Sequence, residues 1–153
     1  MATLFTVQES RTLDRARRLL ERALIDPHEP VFDRVDKTRD YLRARFVGVD
    51  HEQVHALYLD ARHALIAAEV ASIGSLTTAP VYPREIARAA LRHNASAVIL
   101  AHNHPSGEPS PSDADRMLTG AVRDALRLIE VRLLDHVVVA GPKITSAAER
   151  GVL

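Results

Sequence analysis

The amino-acid sequence predicts an α/β fold of the α+β kind, in which helices pack on a central β-sheet. Two observations lead to this prediction. Helical and extended apolar patterns alternate along the chain, and from residue 52 onward they follow the order strand, strand, helix, strand, helix, strand. Such a mixed order is typical of layered folds. The length of 153 residues and the 46% hydrophobic content suit a single domain.

Two helices are predicted before the first strand. The first covers residues 9–24, where apolar residues recur at spacings of three and four. These residues are Leu13, Ala16, Leu20 and Leu24, with Leu19 and Ala23 beside them. The segment DPHEP (26–30) ends this helix, because its two prolines cannot continue one. A second helix is predicted over 34–46. Its expected buried side consists of Val35, Tyr41, Leu42 and Phe46.

The remaining elements build the sheet and cover it. Residues 52–59 and 64–73 are predicted to be two strands of a hairpin, and a helix over 83–94 begins with a proline, which suits a first turn. Residues 95–102 form a short, nearly continuous apolar run that favours a buried strand. A Pro-, Ser- and Gly-rich loop follows. The last predictions are a helix over 113–129, a strand over 131–140 and a short terminal piece over 144–153.

Composition excludes several classes of protein. The chain has no cysteine, which rules out a disulfide scaffold, a thiol nucleophile and a thiolate metal site. Its 20 basic and 20 acidic residues balance, which disfavours a strongly basic nucleic-acid binder. No apolar run reaches the roughly 18 residues of a membrane helix, and the first residues do not resemble a signal peptide. We therefore expect a cytoplasmic protein without a membrane partner.

The pattern that indicates chemistry is an H-x-H pair at the end of the predicted buried strand. Residues two apart on an extended strand point to the same side, so His102 and His104 can present two imidazoles to one point while Asn103 faces away. Ser112 occupies a helix N-cap position, and Asp115 falls in the first turn of that helix. Two imidazoles and one carboxylate, with a fourth position open to water, are the composition of a catalytic zinc site.

Simpler interpretations of the same residues exist. Most isolated H-x-H pairs are surface or packing residues. Ser112 and Asp115 are also what a helix start requires, since serine caps backbone N–H groups and a carboxylate favours the N-terminal dipole. For His136, a structural hydrogen bond is expected rather than metal binding.

A zinc hydrolase also needs a base for its water. Glu69 is the candidate, because it is a lone carboxylate in an apolar strand, on the face that also carries Leu65 and Ala67. The alternative is an edge-strand glutamate that points to solvent. Glu85 and Glu108 are competitors, the first at a helix start and the second in a loop where exposure is expected.

These motifs resemble a known family. The spacing of His102, His104, Ser112 and Asp115 matches the JAMM motif of MPN-type metalloproteases, and the surrounding words are similar to the bacterial RadC family over roughly residues 35–153. The words are PREIARAAL (83–91), NASAVILAHNHPSGEPSPSDAD (94–115), LLDHVVVAG (133–141) and SAAERG (146–151).

The resemblance implies a fold and a site. The fold is a curved mixed sheet packed between helices, with cytidine-deaminase-like layering and here an extra N-terminal helix. The site is one Zn²⁺ per chain on His102, His104 and Asp115, with Glu69 at the position of the catalytic glutamate. Ser112 matches the motif serine, which in active relatives helps to stabilise the tetrahedral intermediate.

The N-terminal part departs from the family. Full-length RadC-like proteins carry a helix-hairpin-helix region ahead of this domain, and the turn of that hairpin typically needs glycine. This chain has no glycine before Gly48. We therefore expect a short form, with an amphipathic helical arm over 1–30 and the RadC-like domain over 31–153. The arm either packs on the domain or mediates a homodimer, and the sequence does not separate the two.

The function predicted from these observations is that of a zinc-dependent peptidase or isopeptidase with a protein or peptide substrate. One alternative is a DNA-associated protein of the RadC type, linked to repair or mobile elements, with an arginine stripe on the first helix as its contact. Another is a silent interaction module. Thermolysin-like sites are excluded because HExxH is absent, and nucleobase deaminases because they need cysteine ligands.

Overall fold

The computed structural model describes residues 5–24, 32, 34–75 and 80–153, and the predicted linker 26–30 lies outside these ranges. Within them the chain forms four helices and five strands. In chain order these are α1 (Val7–Leu24), α2 (Val35–Arg45), β1 (Gln53–Leu59), β2 (Leu65–Ile73), α3 (Pro83–Arg92), β3 (Ala97–Asn103), α4 (Asp113–Arg127), β4 (Arg132–Ala140) and β5 (Lys143–Ser146). Each predicted helix and strand is confirmed, and β5 occupies part of the terminal piece.

The five strands form one mixed sheet in the order β2-β1-β3-β4-β5. Neighbouring strands are antiparallel except for β3 and β4, which run parallel. A parallel pair needs a crossover connection, and α4 provides it between these two strands. The α/β class with a central mixed sheet is thus confirmed.

The sheet is covered by helices on both faces. β3 is buried at every position, as expected of a central strand. On one face Leu100 packs in a cluster with Val122 of α4, and on the other face Ile99 packs in a cluster with Tyr41 of α2. Because side chains alternate along a strand, His102 faces the same side as Leu100, toward α4. The strand that carries the H-x-H pair is therefore held rigidly from both sides.

The buried side of α2 differs from the prediction at one position. Tyr41, Leu42 and Phe46 are buried as expected, but Val35 is 52% exposed. Val35 is the first residue of the helix, one or more turns before the residues that lie over the sheet. Helical periodicity identified the face correctly but not the point along the helix where contact with the sheet begins.

α1 is amphipathic, but only part of its predicted apolar side docks. Leu19 and Leu20 are 51% and 46% exposed. Leu13 of the same apolar side does contact the rest of the molecule, and it lies so close to Gly48 that a β-carbon there would approach Leu13 Cδ1 to 2.8 Å. Gly48 also has a φ of +73°, a conformation that favours glycine. Among the described residues no helix, α1 included, combines the length and apolarity needed to cross a membrane.

Candidate metal centre

The end of β3 positions the two histidines. His102 is 3% exposed and lies within the strand, while His104 follows it and donates its backbone N–H to the carbonyl of Val139 in β4 (2.9 Å). Asn103 faces the opposite side, as predicted. Its side chain donates to the carbonyl of His51 (2.8 Å) and accepts from the backbone N–H of Gln53 (2.8 Å). This bridge fixes the end of β3 to the start of β1.

The start of α4 positions the carboxylate. Ser112 is the N-cap, and its Oγ accepts a hydrogen bond from the backbone N–H of Asp115 (3.1 Å). In return Asp115 Oδ2 accepts from both the backbone N–H and the hydroxyl of Ser112, each at 2.7 Å. This reciprocal pair is a capping box, a common stabilising feature of helix starts. The helix-start interpretation is therefore present, and it also immobilises a 3% exposed carboxylate.

The three predicted ligand side chains converge. His102 Nε2 lies 2.8 Å from His104 Nε2 and 3.2 Å from Asp115 Oδ1, and His104 Nε2 lies 3.5 Å from Asp115 Oδ2. One candidate ligand atom from each residue lies within 4.8 Å of the other two. The spacing read from the sequence thus corresponds to a real group of side chains, which belong to two different elements.

The protonation of these groups suits a cation. His104 Nδ1 lies 2.7 Å from the carbonyl of Glu108, which can only accept, so Nδ1 carries a hydrogen and Nε2 is the ring atom that faces His102. Burial would raise the pKa of Asp115, but hydrogen bonding and the charge of His102, together with the hydrogen bonds from Ser112, hold it well below its ordinary value. The carboxylate is therefore ionised at neutral pH, and two nitrogens and an oxygen are a donor set that fits zinc.

The group lies in an open pocket of about 380 Å³ that contains a further carboxylate, Glu52. Glu52 precedes β1 and lies two residues before Val54, which pairs with His102. Residues two apart share a face, so Glu52 lies on the His102 side of the sheet. The sequence contains one feature that points to this residue. Glu52 begins a predicted strand, and antiparallel pairing with β3 brings that strand start to the H-x-H end.

Glu69, the base expected from the sequence, does not lie in this pocket. Its carboxylate accepts hydrogen bonds from Arg92 (2.7 and 2.9 Å) and is 2.6 Å from His93 Nε2, both at the end of α3. The hydrogen bond with His93, followed by those and the charge of Arg92, lowers the pKa of Glu69 against the opposing effect of burial. The lone carboxylate of the apolar strand is thus accounted for by an ion-pair network.

Strand pairing explains this placement. Glu69 pairs with Ala56 on β1, whereas His102 pairs with Val54 on the opposite edge of β1. One whole strand therefore separates Glu69 from the histidines, about 10 Å across the sheet. Glu85 likewise lies outside the pocket and pairs with Arg88 (2.6 Å), while Glu108 lines the pocket rim.

His136 forms a structural hydrogen bond, as predicted, and its partner is a predicted metal ligand. Its Nε2 lies 2.8 Å from His102 Nδ1, and its Nδ1 lies 2.6 Å from Thr119 Oγ1. Burial, followed by the charges of His102 and His104, lowers the pKa of His136 to about 3 against the opposing charge of Asp115. Sequence reasoning missed this contact, because residues 102 and 136 meet only through the pairing of β3 with β4.

The sequence of this chain is similar to those of known proteins. A family model described as a RadC-like JAB domain matches residues 32–152. A UPF0758 protein of Vibrio cholerae is 46% identical over 145 residues, which cover 95% of this chain and 90% of the relative. The UPF0758 protein YkfG of Escherichia coli is 43% identical over 150 residues, 97% of this chain and 93% of that protein. A UPF0758 protein of Leptothrix cholodnii is 50% identical over 141 residues, and there the match spans only 63% of the relative's length.

Proposed function

Because the chain belongs to the RadC-like JAB domain family, we propose that it is a zinc-dependent hydrolase that cleaves amide bonds in a protein or peptide substrate. One observation carries the proposal. Two imidazole nitrogens and an ionised carboxylate converge in a pocket that also contains the carboxylate of Glu52. Three protein ligands with an adjacent base and an open side are what a hydrolytic metal site requires, whereas a structural zinc site is closed by four ligands.

His102, His104 and Asp115 would hold one Zn²⁺ per chain. The two nitrogen donors favour zinc over magnesium or calcium, which prefer oxygen ligands. Zinc in such a site supplies Lewis acidity, which brings the pKa of a coordinated water toward about 7. The chain contributes the fixed orientation of its ligands, since one end of Asp115 is held by Ser112 and the His104 ring is held by the Glu108 carbonyl.

Glu52 takes the role of general base in this proposal. It would accept a proton from the attacking water and deliver it to the leaving amine. Glu69 is not assigned this role, because its carboxylate is engaged by Arg92 and His93 on the other side of β1. Ser112 donates its hydroxyl hydrogen to Asp115, so in this arrangement it orients a ligand; support of the oxyanion would require the hydroxyl to turn toward the substrate.

The test compares two matched variants, Glu52→Gln and Glu69→Gln. Metal analysis of the wild-type protein should find about one zinc per chain, and both variants should retain it, because neither glutamate is a ligand. Zinc-loaded protein is then incubated with a library of natural peptides, and mass spectrometry counts newly formed termini. We expect cleavage by the wild type and by Glu69→Gln, and a loss of about a hundredfold or more in Glu52→Gln, in the range of a general base.

The metal site, the peptidase activity and the assignment of the base can each be contradicted by a separate result. Absence of zinc from wild-type protein refolded or dialysed with the metal contradicts the metal site. Stoichiometric zinc without any new peptide termini contradicts the peptidase activity. If cleavage survives in Glu52→Gln and disappears in Glu69→Gln, Glu69 and not Glu52 is the general base.

A further inference from the structure

We infer that His136 and Thr119 form a positioning pair that fixes the ring of His102 in the tautomer and orientation a metal ligand needs. The inference rests on the proposed metal site and goes beyond it, because neither residue reaches the metal-binding atoms. It follows from a continuous line of hydrogen bonds that is buried from end to end and joins three elements of the fold.

The line begins at the backbone of one proposed ligand and ends at the side chain of another. Thr119 Oγ1 lies 2.6 Å from the carbonyl of Asp115 and 2.6 Å from His136 Nδ1. His136 Nε2 lies 2.8 Å from His102 Nδ1. Thr119 is 6% exposed and the two histidines are 3% exposed, so these hydrogen bonds are shielded from bulk solvent.

Counting hydrogens gives the direction of every bond. A carbonyl can only accept, so the single hydroxyl hydrogen of Thr119 is donated to Asp115. Thr119 Oγ1 must then accept from His136, which places a hydrogen on His136 Nδ1. A neutral imidazole has one hydrogen, and a ring that is 3% exposed and contacts a hydroxyl and a second histidine, with no carboxylate of the described residues hydrogen-bonded to it, favours the neutral form. His136 Nε2 is therefore an acceptor, and His102 donates to it from Nδ1.

This assignment commits His102 Nδ1 to His136, so Nε2, the atom that faces His104 and Asp115, is the ring atom that remains for a metal. The opposite tautomer of His102 would place a hydrogen there and an unpaired nitrogen at His136. Metal-ligating histidines commonly donate their second N–H to a fixed acceptor, which sets the tautomer and raises the basicity of the ligand. Here a second histidine serves as that acceptor, in place of the more frequent carboxylate or carbonyl.

The fold explains why His136 is available for this role. It lies on β4 opposite Leu100 of β3, and Leu100 and His102 share one face of the sheet. Thr119 lies one turn after Asp115 on α4, where a hydroxyl bonded to the carbonyl four residues earlier is a common local contact. The bond from His136 to that hydroxyl links α4 to β4, and the bond to His102 links β4 to β3.

Three substitutions test the inference. His136→Phe keeps a ring but removes both nitrogens, and Thr119→Val keeps the side-chain shape but removes the hydroxyl. His136→Gln retains an amide oxygen that can accept from His102. His93→Phe is the matched control, a histidine replaced outside the pocket. Circular dichroism and thermal unfolding of each metal-free protein establish that it is folded.

The first measurement is the zinc dissociation constant, obtained by competition with a chelating indicator. We expect His136→Phe to weaken zinc binding by about 10–100-fold, Thr119→Val to weaken it by less, and His136→Gln to restore part of the loss. His93→Phe should match the wild type. If His136→Phe does not fold, Thr119→Val and His136→Gln carry the comparison.

The second measurement is two-bond ¹⁵N–¹H correlation of the histidine rings in the wild-type protein, with and without zinc. We expect the His136 ring to carry its hydrogen on Nδ1 in both states. A hydrogen on Nε2, or zinc affinity unchanged in a folded His136→Phe protein, overturns the inference while the metal site stands. Wild-type protein that takes up no zinc at all instead contradicts the proposed function.

Discussion

At the scale of single residues, His55 is a buried group on the face of the sheet opposite His102, and the fold constrains its ionisation. Arg45 Nε–H donates to its Nδ1 (2.7 Å), so its own hydrogen is on Nε2, which lies 2.9 Å from Gln53 Oε1. Arg45 is in turn paired with Glu21 of α1 (3.0 Å). Burial, and then the charges of Arg45 and Arg17, lower the pKa of His55 to about 3. Its ring is therefore neutral in the folded protein at all but strongly acidic pH.

This leads to a prediction about acid stability. In the unfolded chain His55 titrates near its ordinary pKa of about 6.5. Between that value and about 3 the unfolded state binds more protons, so the free energy of unfolding falls as the pH falls through this window and is unaffected by His55 above it. His55→Gln, which keeps an acceptor and a donor, should make this slope shallower by about 1 kcal/mol per pH unit.

Urea unfolding of metal-free wild type and His55→Gln between about pH 8 and pH 4.5 measures the two slopes. Above about pH 7 the difference between the two proteins should be constant, which serves as an internal control. Parallel curves down to pH 4.5 would show that His55 is not held neutral by the fold.

At the scale of elements, the pocket depends on how the end of β3 is joined to the start of β1. Asn103 bonds the backbone of His51 and the backbone of Gln53, the two residues that flank Glu52. It faces away from the proposed ligands, although it lies between them in sequence. The neighbours of Asn103, His102 and His104, point to the proposed metal site. The side chain of Asn103 lies on the opposite face of the sheet and holds the backbone on either side of Glu52, the proposed base.

We predict that Asn103→Ala lowers turnover without loss of zinc. Loss of both bonds should leave the proposed ligands in place but release the backbone around Glu52, and misplacement of a catalytic group by about 1 Å can cost up to a hundredfold in rate. The unpaired backbone groups should also destabilise the protein by about 1–3 kcal/mol. Zinc stoichiometry, peptide cleavage and urea unfolding measure the three effects.

Asn103→Asp should remove only one of the two hydrogen bonds between the end of β3 and the start of β1. An aspartate can still accept from the Gln53 backbone but has no hydrogen for the His51 carbonyl. Its turnover should lie between those of the wild type and Asn103→Ala. Equal turnover in all three proteins would mean that the β1–β3 bridge does not position Glu52.

At the scale of the whole molecule, the proposed site gathers groups from four elements. Glu52 precedes β1, His102 and His104 lie at and just after the end of β3, Asp115 lies in the first turn of α4 and His136 belongs to β4. A metal bound to the folded state alone therefore ties together parts of the chain that are distant in sequence. Ligand binding of this kind stabilises a protein by mass action.

Zinc should accordingly raise the melting temperature. Free zinc at about 100 times its dissociation constant stabilises by about 2.7 kcal/mol, which for a domain of this size corresponds to about 5–10 °C. Glu52→Gln should keep the full shift, because Glu52 is not a proposed ligand, whereas His104→Ala should lose most of it. Thermal unfolding with and without zinc gives the shifts, and a full shift in His104→Ala would remove that residue from the ligand set.

Local patterns predicted the elements well because local physics determines them. The run before His102 is apolar on both faces, as a strand in the middle of a sheet must be, and it became β3. Ser112 and Asp115 were identified as a helix start, and they form its capping box. Exposure was predicted less well. Val35 and the apolar side of α1 follow helical periodicity, yet their exposure depends on where each helix meets the rest of the molecule.

The H-x-H pair, the carboxylate one loop later and the absence of competing thiolates can be predicted from the sequence, because they depend only on residue type and short-range geometry. Which glutamate lies beside them depends on the tertiary structure. Glu52 directly precedes β1 and Glu69 lies on the neighbouring β2, and the pairing of β1 with β3 on one edge and with β2 on the other brings the first to the pocket and keeps the second away. The same holds for His136, which lies 34 positions after His102 and reaches it only because β3 pairs with β4. Pairing and register are non-local, so no spacing along one chain encodes them.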